Sequence, residues 1–253
     1  AFCTGCSPSE NDDNPTVNNA IPVTRIAHAG DGINGVVYSN SREALDYNYE
    51  RGFIFFEIDF LLTSDQEIIC AHSWKDLSRL IKQKITSDLT LERFRALDKS
   101  VTKYDLLTLF ELHEWMKQHP DTVIITDVKH RNNSEVLARI IANMPDFDQR
   151  FIPQVYYPEN YEKVRALGFR NIIWTLYRYS GSNKKVLDIV PGLENLFAVT
   201  MPPKRAFHGL AAKLENIGVN TYVHTVNKRD DLNALRQRFR VDEVYTDFLP
   251  PAD

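Results

Sequence analysis

The chain has 253 residues, 43% of them hydrophobic and 25% charged, with a formal net charge of -4. That length suits one large domain or two small ones, with a core that needs no disulfide or metal to hold it. The 10 Gly and 12 Pro exclude a collagen-like or low-complexity chain, and no apolar run approaches the ~18 residues of a membrane span. Slight acidity gives no long-range attraction for nucleic acid.

Residues 1–20 are rich in Ser, Asn, Asp and Pro. Such a stretch buries too little apolar surface to offset its ordering entropy, so a flexible tail is expected there, followed by a single domain over 21–253. The chain opens on Ala1, not Met, and reads as a processed or trimmed product. Its cysteines are Cys3, Cys6 and Cys70, and a lone Cys-x-x-Cys admits a disulfide, half a zinc site or a processing remnant. Thr4-Gly5-Cys6 resembles the end of a bacterial lipoprotein signal. That resemblance implies a lipid on Cys6, export to the cell envelope or periplasm, and a membrane surface as partner.

Apolar runs then alternate with amphipathic stretches. Strands are expected at Val23–His28, Ile54–Leu62, Ile68–His72, Val123–Lys129, Phe151–Tyr156, Asn171–Tyr177, Leu196–Met201, Tyr222–Val226 and Glu243–Asp247. Helices are expected at Ser41–Arg51, Asp105–Gln118, Pro158–Leu167, Lys204–Ile217 and Asp230–Phe239. Polar caps open the first of these, and Gly52, Gly168 and Gly218 stop three of them. Alternating strands and helices imply a parallel sheet covered by helices. If Ile54–Leu62 and Ile68–His72 form one unit, eight strand positions remain, and the α/β class becomes a TIM-type (β/α)8 barrel. The first strand runs into His28-Ala29-Gly30-Asp31-Gly32, without the Gly-rich phosphate loop of a doubly wound sheet. Six residues with two prolines follow Asp247, too few for an eighth outer helix. A barrel lacking that helix is expected, its flank covered by the N-terminal segment or a loop.

Charges embedded in strands carry the functional signal. Glu57 and Asp59 interrupt the apolar run Phe53–Leu62, and residues two apart in a strand share a face. Asp127 and Lys129 repeat the spacing at the end of Val123–Lys129. Buried carboxylates are costly unless a cation meets them. His28 and His72 end two further strands, at the barrel face where such enzymes hold their chemistry. Three carboxylates make a hard oxygen site suited to Mg²⁺ or Ca²⁺. The two His are then free for acid–base work on a phosphodiester, with Lys129 to neutralise phosphoryl charge.

At these residues the sequence resembles the glycerophosphodiester phosphodiesterase family, within the phosphatidylinositol-specific phospholipase C-like superfamily. His28-Ala29-Gly30 matches its His-Arg-Gly, Glu57-Ile58-Asp59 its Glu-x-Asp pair, and His72 its second His. Asp127-Val128-Lys129 stands for Glu-x-Lys, and Thr63-Ser64-Asp65-Gln66 for Thr-x-Asp-Gly. Tyr222–Asn227 is similar to the Trp-Thr-Val-Asn strand, and Thr246-Asp247 to the closing Thr-Asp. The resemblance implies Glu57, Asp59 and Asp127 as ligands of a divalent cation, His28 and His72 as the acid–base pair, and Lys129 on the phosphate. It adds Gln154 and Trp174 as pocket candidates, and His224 joins them, with alternation leaving open whether it or Thr225 faces inward. The sequence departs from the family at Ala29 (Arg), Ser39-Asn40-Ser41 (Glu-Asn-Thr), His224 (Trp) and Asp127 (Glu). Asp127 also resembles the spider-venom sphingomyelinase D branch.

A metal-dependent hydrolase of glycerophosphodiesters or (lyso)phospholipid headgroups is therefore expected. Its alternatives are a phospholipase D-like transferase that forms a cyclic phosphate, and a non-catalytic barrel that binds phospho-ligands.

Overall fold

The computed structural model describes residues 21–97, 104–128, 133–142 and 144–252. The expected tail with Cys3 and Cys6, and also Lys129, lie outside the described residues. The strands are β1 (Ile26–Ala27), β2 (Phe55–Leu62), β3 (Ile68–Cys70), β4 (Val123–Val128), β5 (Phe151–Val155), β6 (Ile172–Thr175), β7 (Leu196–Met201), β8 (Asn220–Val223) and β9 (Glu243–Thr246). All except β3 are parallel neighbours in the order β1-β9-β8-β7-β6-β5-β4-β2, and Ala27 opposite Phe56 closes the ring. With helices around it, this is the TIM-type barrel. β3 pairs antiparallel to β2, so the two form one hairpin unit, as the strand count required.

Alternation sorts the strand residues. Ile26, Phe55, Ile125, Ile152, Ile173, Ala198, Tyr222 and Tyr245 form one buried cluster inside the barrel, with Ile21 and Val23 packed against it. Phe56, Ile58, Ile124 and Val128 face the other way, onto Leu112, Trp115 and Met116 of the helix Leu109–Gln118. Thr108 and Glu111 start that helix with a capping box, each side chain taking a backbone N–H of the other residue. Trp174, Val199, Met201 and Val223 pack under the helices of the second half.

Most strands end earlier than their sequence runs. β1 stops at Ala27 because His28–Gly30 turn into a short 3-10 helix, with Ala29 at φ 51°. The segment expected as the helix Lys204–Ile217 splits into Pro203–Phe207 and Leu210–Glu215 at Gly209, whose φ of 76° only glycine adopts readily. Helices at Trp74–Leu80, Leu91–Arg95, Asn133–Ile141, Phe147–Arg150 and Asn183–Ile189 add to those expected. Among the described residues no helix follows β9. Leu249 is buried in the second-half cluster, and the Pro250 carbonyl accepts from the buried Arg25. The final segment thus covers part of the outer flank that an eighth helix would have covered, whereas Ile21 and Val23 pack against the interior cluster. Among the described residues no helix is long and apolar enough to cross a membrane.

Candidate active site

The mouth is built where the parallel strands end. On β2, Glu57 and Asp59 follow Phe55 on the interior face, and β4 pairs alongside with Asp127 opposite Asp59. One oxygen each from Glu57, Asp59 and Asp127 lies within 4.8 Å of the others, and the three residues are 1%, 2% and 7% exposed. Each is tied to a donor. The Ala29 N–H donates to Glu57 at 2.8 Å, Asn40 Nδ2 to Asp59 at 3.0 Å, and the Tyr156 hydroxyl to Asp127 at 2.7 Å. Burial first, and then the Asp127 charge, hold Tyr156 far above the ordinary phenol range, so it stays a neutral donor. Three converging buried carboxylates form an all-oxygen set that fits a hard divalent cation.

Both candidate imidazoles are anchored through Nδ1. His28 Nδ1 lies 2.7 Å from Asp247, and its Nε2 is 4.0 Å from Glu57. His72 Nδ1 lies 2.6 Å from Asp76, whose carboxylate also accepts from the hydroxyl of Ser73, the N-cap of the helix Trp74–Leu80. Burial opposes ionisation of Asp76, but hydrogen bonds from Ser73 and His72 and the charge of Arg79 hold its carboxyl below the usual range. A carboxylate on Nδ1 fixes the ring and leaves Nε2 for substrate. The His28 side chain is 4% exposed and that of His72 31%, so one lies deep and one at the rim. Tyr38 wedges between them, its ring 4.9 Å from His28 and 4.6 Å from His72.

Several of these residues were not assigned by sequence reasoning. Asp247, Asp76, Asn40, Tyr38 and Tyr156 all touch the carboxylates or imidazoles. The Ser39-Asn40-Ser41 and Thr246-Asp247 motifs carried a signal for Asn40 and Asp247. No comparable motif marks Tyr38, whose φ of 58° is unusual for a non-glycine residue. Gly32 ties the end of β1 to that of β9, donating to the Asp247 carbonyl at 2.7 Å. A Cβ there would collide with that carbonyl and the Phe248 ring.

The pocket residues divide. His224 reaches the mouth, 4.4 Å from His28 and 4.7 Å from Tyr245, and its carbonyl accepts from Tyr177. Gln154 is buried in the interior near the level of Asp127 and accepts from the Tyr245 hydroxyl at 3.2 Å. Trp174 is not brought to the mouth. Ile173 and Thr175 take the interior positions of β6, so Trp174 is fully buried on the opposite face against Tyr179 and the helices. Trp174→Phe is expected to lower stability by ~0.5–3 kcal/mol with KM unchanged, read from urea unfolding and initial rates.

Asp31 lies behind His28 and Asp247. Its Oδ1 accepts from the Gly32 N–H at 2.8 Å, while Oδ2 is buried without a hydrogen-bond partner, 3.8 Å from Arg51. Burial pushes its carboxyl up to about 7 from 3.8, against the pull of Gly32 and Arg51. Below pH 3.8 both folded and unfolded chains hold the proton. As pH rises towards 7 the unfolded chain releases it first, so this group's contribution to stability is lost across that window. Asp31→Asn cannot titrate. Its stability relative to wild type is expected to improve between pH 4.5 and 8 in urea unfolding, and a constant difference would contradict the assignment.

Fold and site together define a TIM-barrel phosphoric diester hydrolase. The profile of the Glycerophosphoryl diester phosphodiesterase family matches residues 28–250, and the chain belongs to that family. Among solved structures, a glycerophosphodiester phosphodiesterase from Thermotoga maritima is 21% identical, with a TM-score of 0.69 over 90% of this chain and 95% of that one. One from Parabacteroides distasonis is 17% identical, TM-score 0.70, over 90% and 93%. A phosphodiesterase from Oleispira antarctica, solved with the product sn-glycerol-3-phosphate, is 15% identical, TM-score 0.68, over 90% and 94%. At these identities the likeness is one of fold. None of the curated proteins compared with the chain matches it.

Proposed function

We propose that the chain hydrolyses glycerophosphodiesters at the barrel mouth in the presence of Mg²⁺ or Ca²⁺, with His28 and His72 exchanging protons with the reacting groups. The observation that carries this reading is the convergence of three buried carboxylates with two imidazoles, each held by its own carboxylate. Glu57, Asp59 and Asp127 would hold the cation, which supplies charge stabilisation to the phosphoryl oxygens when bound. Asn40, Tyr156 and the Ala29 N–H orient those carboxylates. His28 Nε2 and His72 lie on either side of the Tyr38 ring. One takes the proton of the attacking water and the other protonates the leaving alcohol oxygen, with the Asp247 and Asp76 carboxylates stabilising whichever ring is charged. The Oleispira phosphodiesterase, solved with sn-glycerol-3-phosphate as product, supports a glycerol phosphate product here as well.

Asp127, one methylene shorter than the family's Glu, favours a second reading, in which a substrate hydroxyl attacks in place of water and a cyclic phosphate forms. A panel of phosphodiesters with Mg²⁺, Ca²⁺ or chelator, its products separated by ³¹P NMR, tests both. Free glycerol 3-phosphate supports hydrolysis, and a cyclic phosphate without it supports the transferase. Cation binding with no turnover of any diester would leave a non-catalytic binding barrel.

A further inference from the structure

The mouth gathers negative charge. Glu57, Asp59 and Asp127 converge within 4.8 Å, and Asp247 stands behind His28. In the turn His28–Gly30 after β1, Ala29 offers only a buried methyl and its N–H is spent on Glu57. A phosphodiester is itself an anion, so its approach calls for positive groups besides the cation site, and Lys129, expected on the phosphate, lies outside the described residues.

Arg178 stands where such a group is needed. It ends the turn Leu176–Arg178 directly after β6, at the same barrel face as the carboxylates. Its guanidinium carbon lies 4.7 Å from the centre of the Tyr156 ring, and the hydroxyl of that ring donates to Asp127 at 2.7 Å. One aromatic ring therefore separates the guanidinium from the trio. Arg178 is exposed, and among the described residues no carboxylate pairs with it. Arg205, by contrast, is fixed by the Tyr179 and Gly181 carbonyls and Asn183. Stacking on Tyr156 limits the rotamers of a long side chain while leaving its N–H fork unspent. A planar fork matches two phosphoryl oxygens at once.

We propose that Arg178 is the substrate-binding residue that grips the phosphate, closing on its non-bridging oxygens from the β6 side with Tyr156 as its platform. This rests on the reading of the mouth as the phosphodiester site. It accounts for a guanidinium set over the ring that orients Asp127, and it makes Tyr156 serve both the carboxylates and the cation.

The test uses the full chain loaded with Mg²⁺, titrated calorimetrically with sn-glycerol 3-phosphate, together with kcat and KM for the best diester of the panel. Arg178→Gln is expected to weaken glycerol 3-phosphate binding at least tenfold and to raise KM in step, with the melting temperature unchanged because the side chain is exposed. Arg178→Lys keeps the charge without the planar fork and is expected to fall between the two. Added salt should raise the wild-type KM more steeply than that of Arg178→Gln. Binding and KM in Arg178→Gln equal to wild type would overturn the assignment while leaving the hydrolase reading intact. Wild-type protein that binds glycerol 3-phosphate through Arg178 but turns over no diester would overturn the hydrolase reading alone. Wild-type protein that neither binds glycerol 3-phosphate nor turns over any diester would overturn both.

Discussion

His28→Ala and His72→Ala are each expected to lower kcat by ~10²–10⁴-fold, the usual contribution of a positioned acid or base. The two losses should differ in character. His28 is buried against Tyr38, His224 and Asp247, so its removal opens space and leaves Asp247 with Asn227 as its side-chain partner. Some loss of melting temperature should accompany the kinetic effect. His72 is more exposed, and Asp76 keeps Ser73 and Arg79, so His72→Ala should melt like wild type. Asp247→Asn discriminates further. Its amide can present an N–H to Nδ1 and stabilise the tautomer that carries the proton on Nε2. A fall in kcat within the same range, up to ~10⁴-fold, and a displaced limb of the pH–rate profile are expected. Unchanged turnover in His28→Ala and His72→Ala would remove both from the chemistry.

The second large effect concerns the carboxylates. Chelation is expected to abolish turnover, and Mg²⁺ or Ca²⁺ to restore it. Glu57→Gln should lack activity under either condition, since an amide oxygen is a poorer ligand and its NH₂ can turn towards the site. Stability supplies a readout independent of turnover. Three carboxylate oxygens within 4.8 Å repel one another when no cation lies between them. Glu57→Gln relieves part of that repulsion, so in chelator it should melt above wild type. A ligand at 100 times its Kd stabilises the folded state by ~2.7 kcal/mol, so saturating cation should raise the wild-type melting temperature by several degrees. The same addition should move Glu57→Gln much less. Equal shifts in both proteins would place the cation elsewhere.

The site was legible in the sequence wherever strand alternation carried it. Glu57 and Asp59 are two apart in an otherwise apolar run, and a strand in a barrel has one inward face, so both had to arrive together. Asp127 joins them because β4 runs parallel beside β2 in register, which a strand-by-strand reading cannot supply. Trp174 lies where strand alternation does not decide. β6 is apolar on both faces, so its pattern does not say which face is inward, and the register shift at Ile172–Ile173 blurs the alternation further. The residues that hold the chemical groups were the hardest to read. Asp247 lies 219 positions from the His28 it anchors. Tyr38 and Asn40 enter through a loop in which both take positive φ, 58° and 45°. Loop conformation of that kind follows from tertiary contacts more than from local propensity. The shortened β1 has the same origin, since the turn that starts at His28 aims its ring at Asp247 and Glu57.

The central claim is that three carboxylates and two anchored imidazoles form one cation-dependent phosphodiesterase site. Its most direct test is ³¹P NMR of the full chain with a glycerophosphodiester, run with Mg²⁺ or Ca²⁺, with chelator, and with His28→Ala in place of wild type. The structure predicts a growing glycerol 3-phosphate signal in the first case and none in the other two. Equal product in chelator, or equal product from His28→Ala, would contradict it.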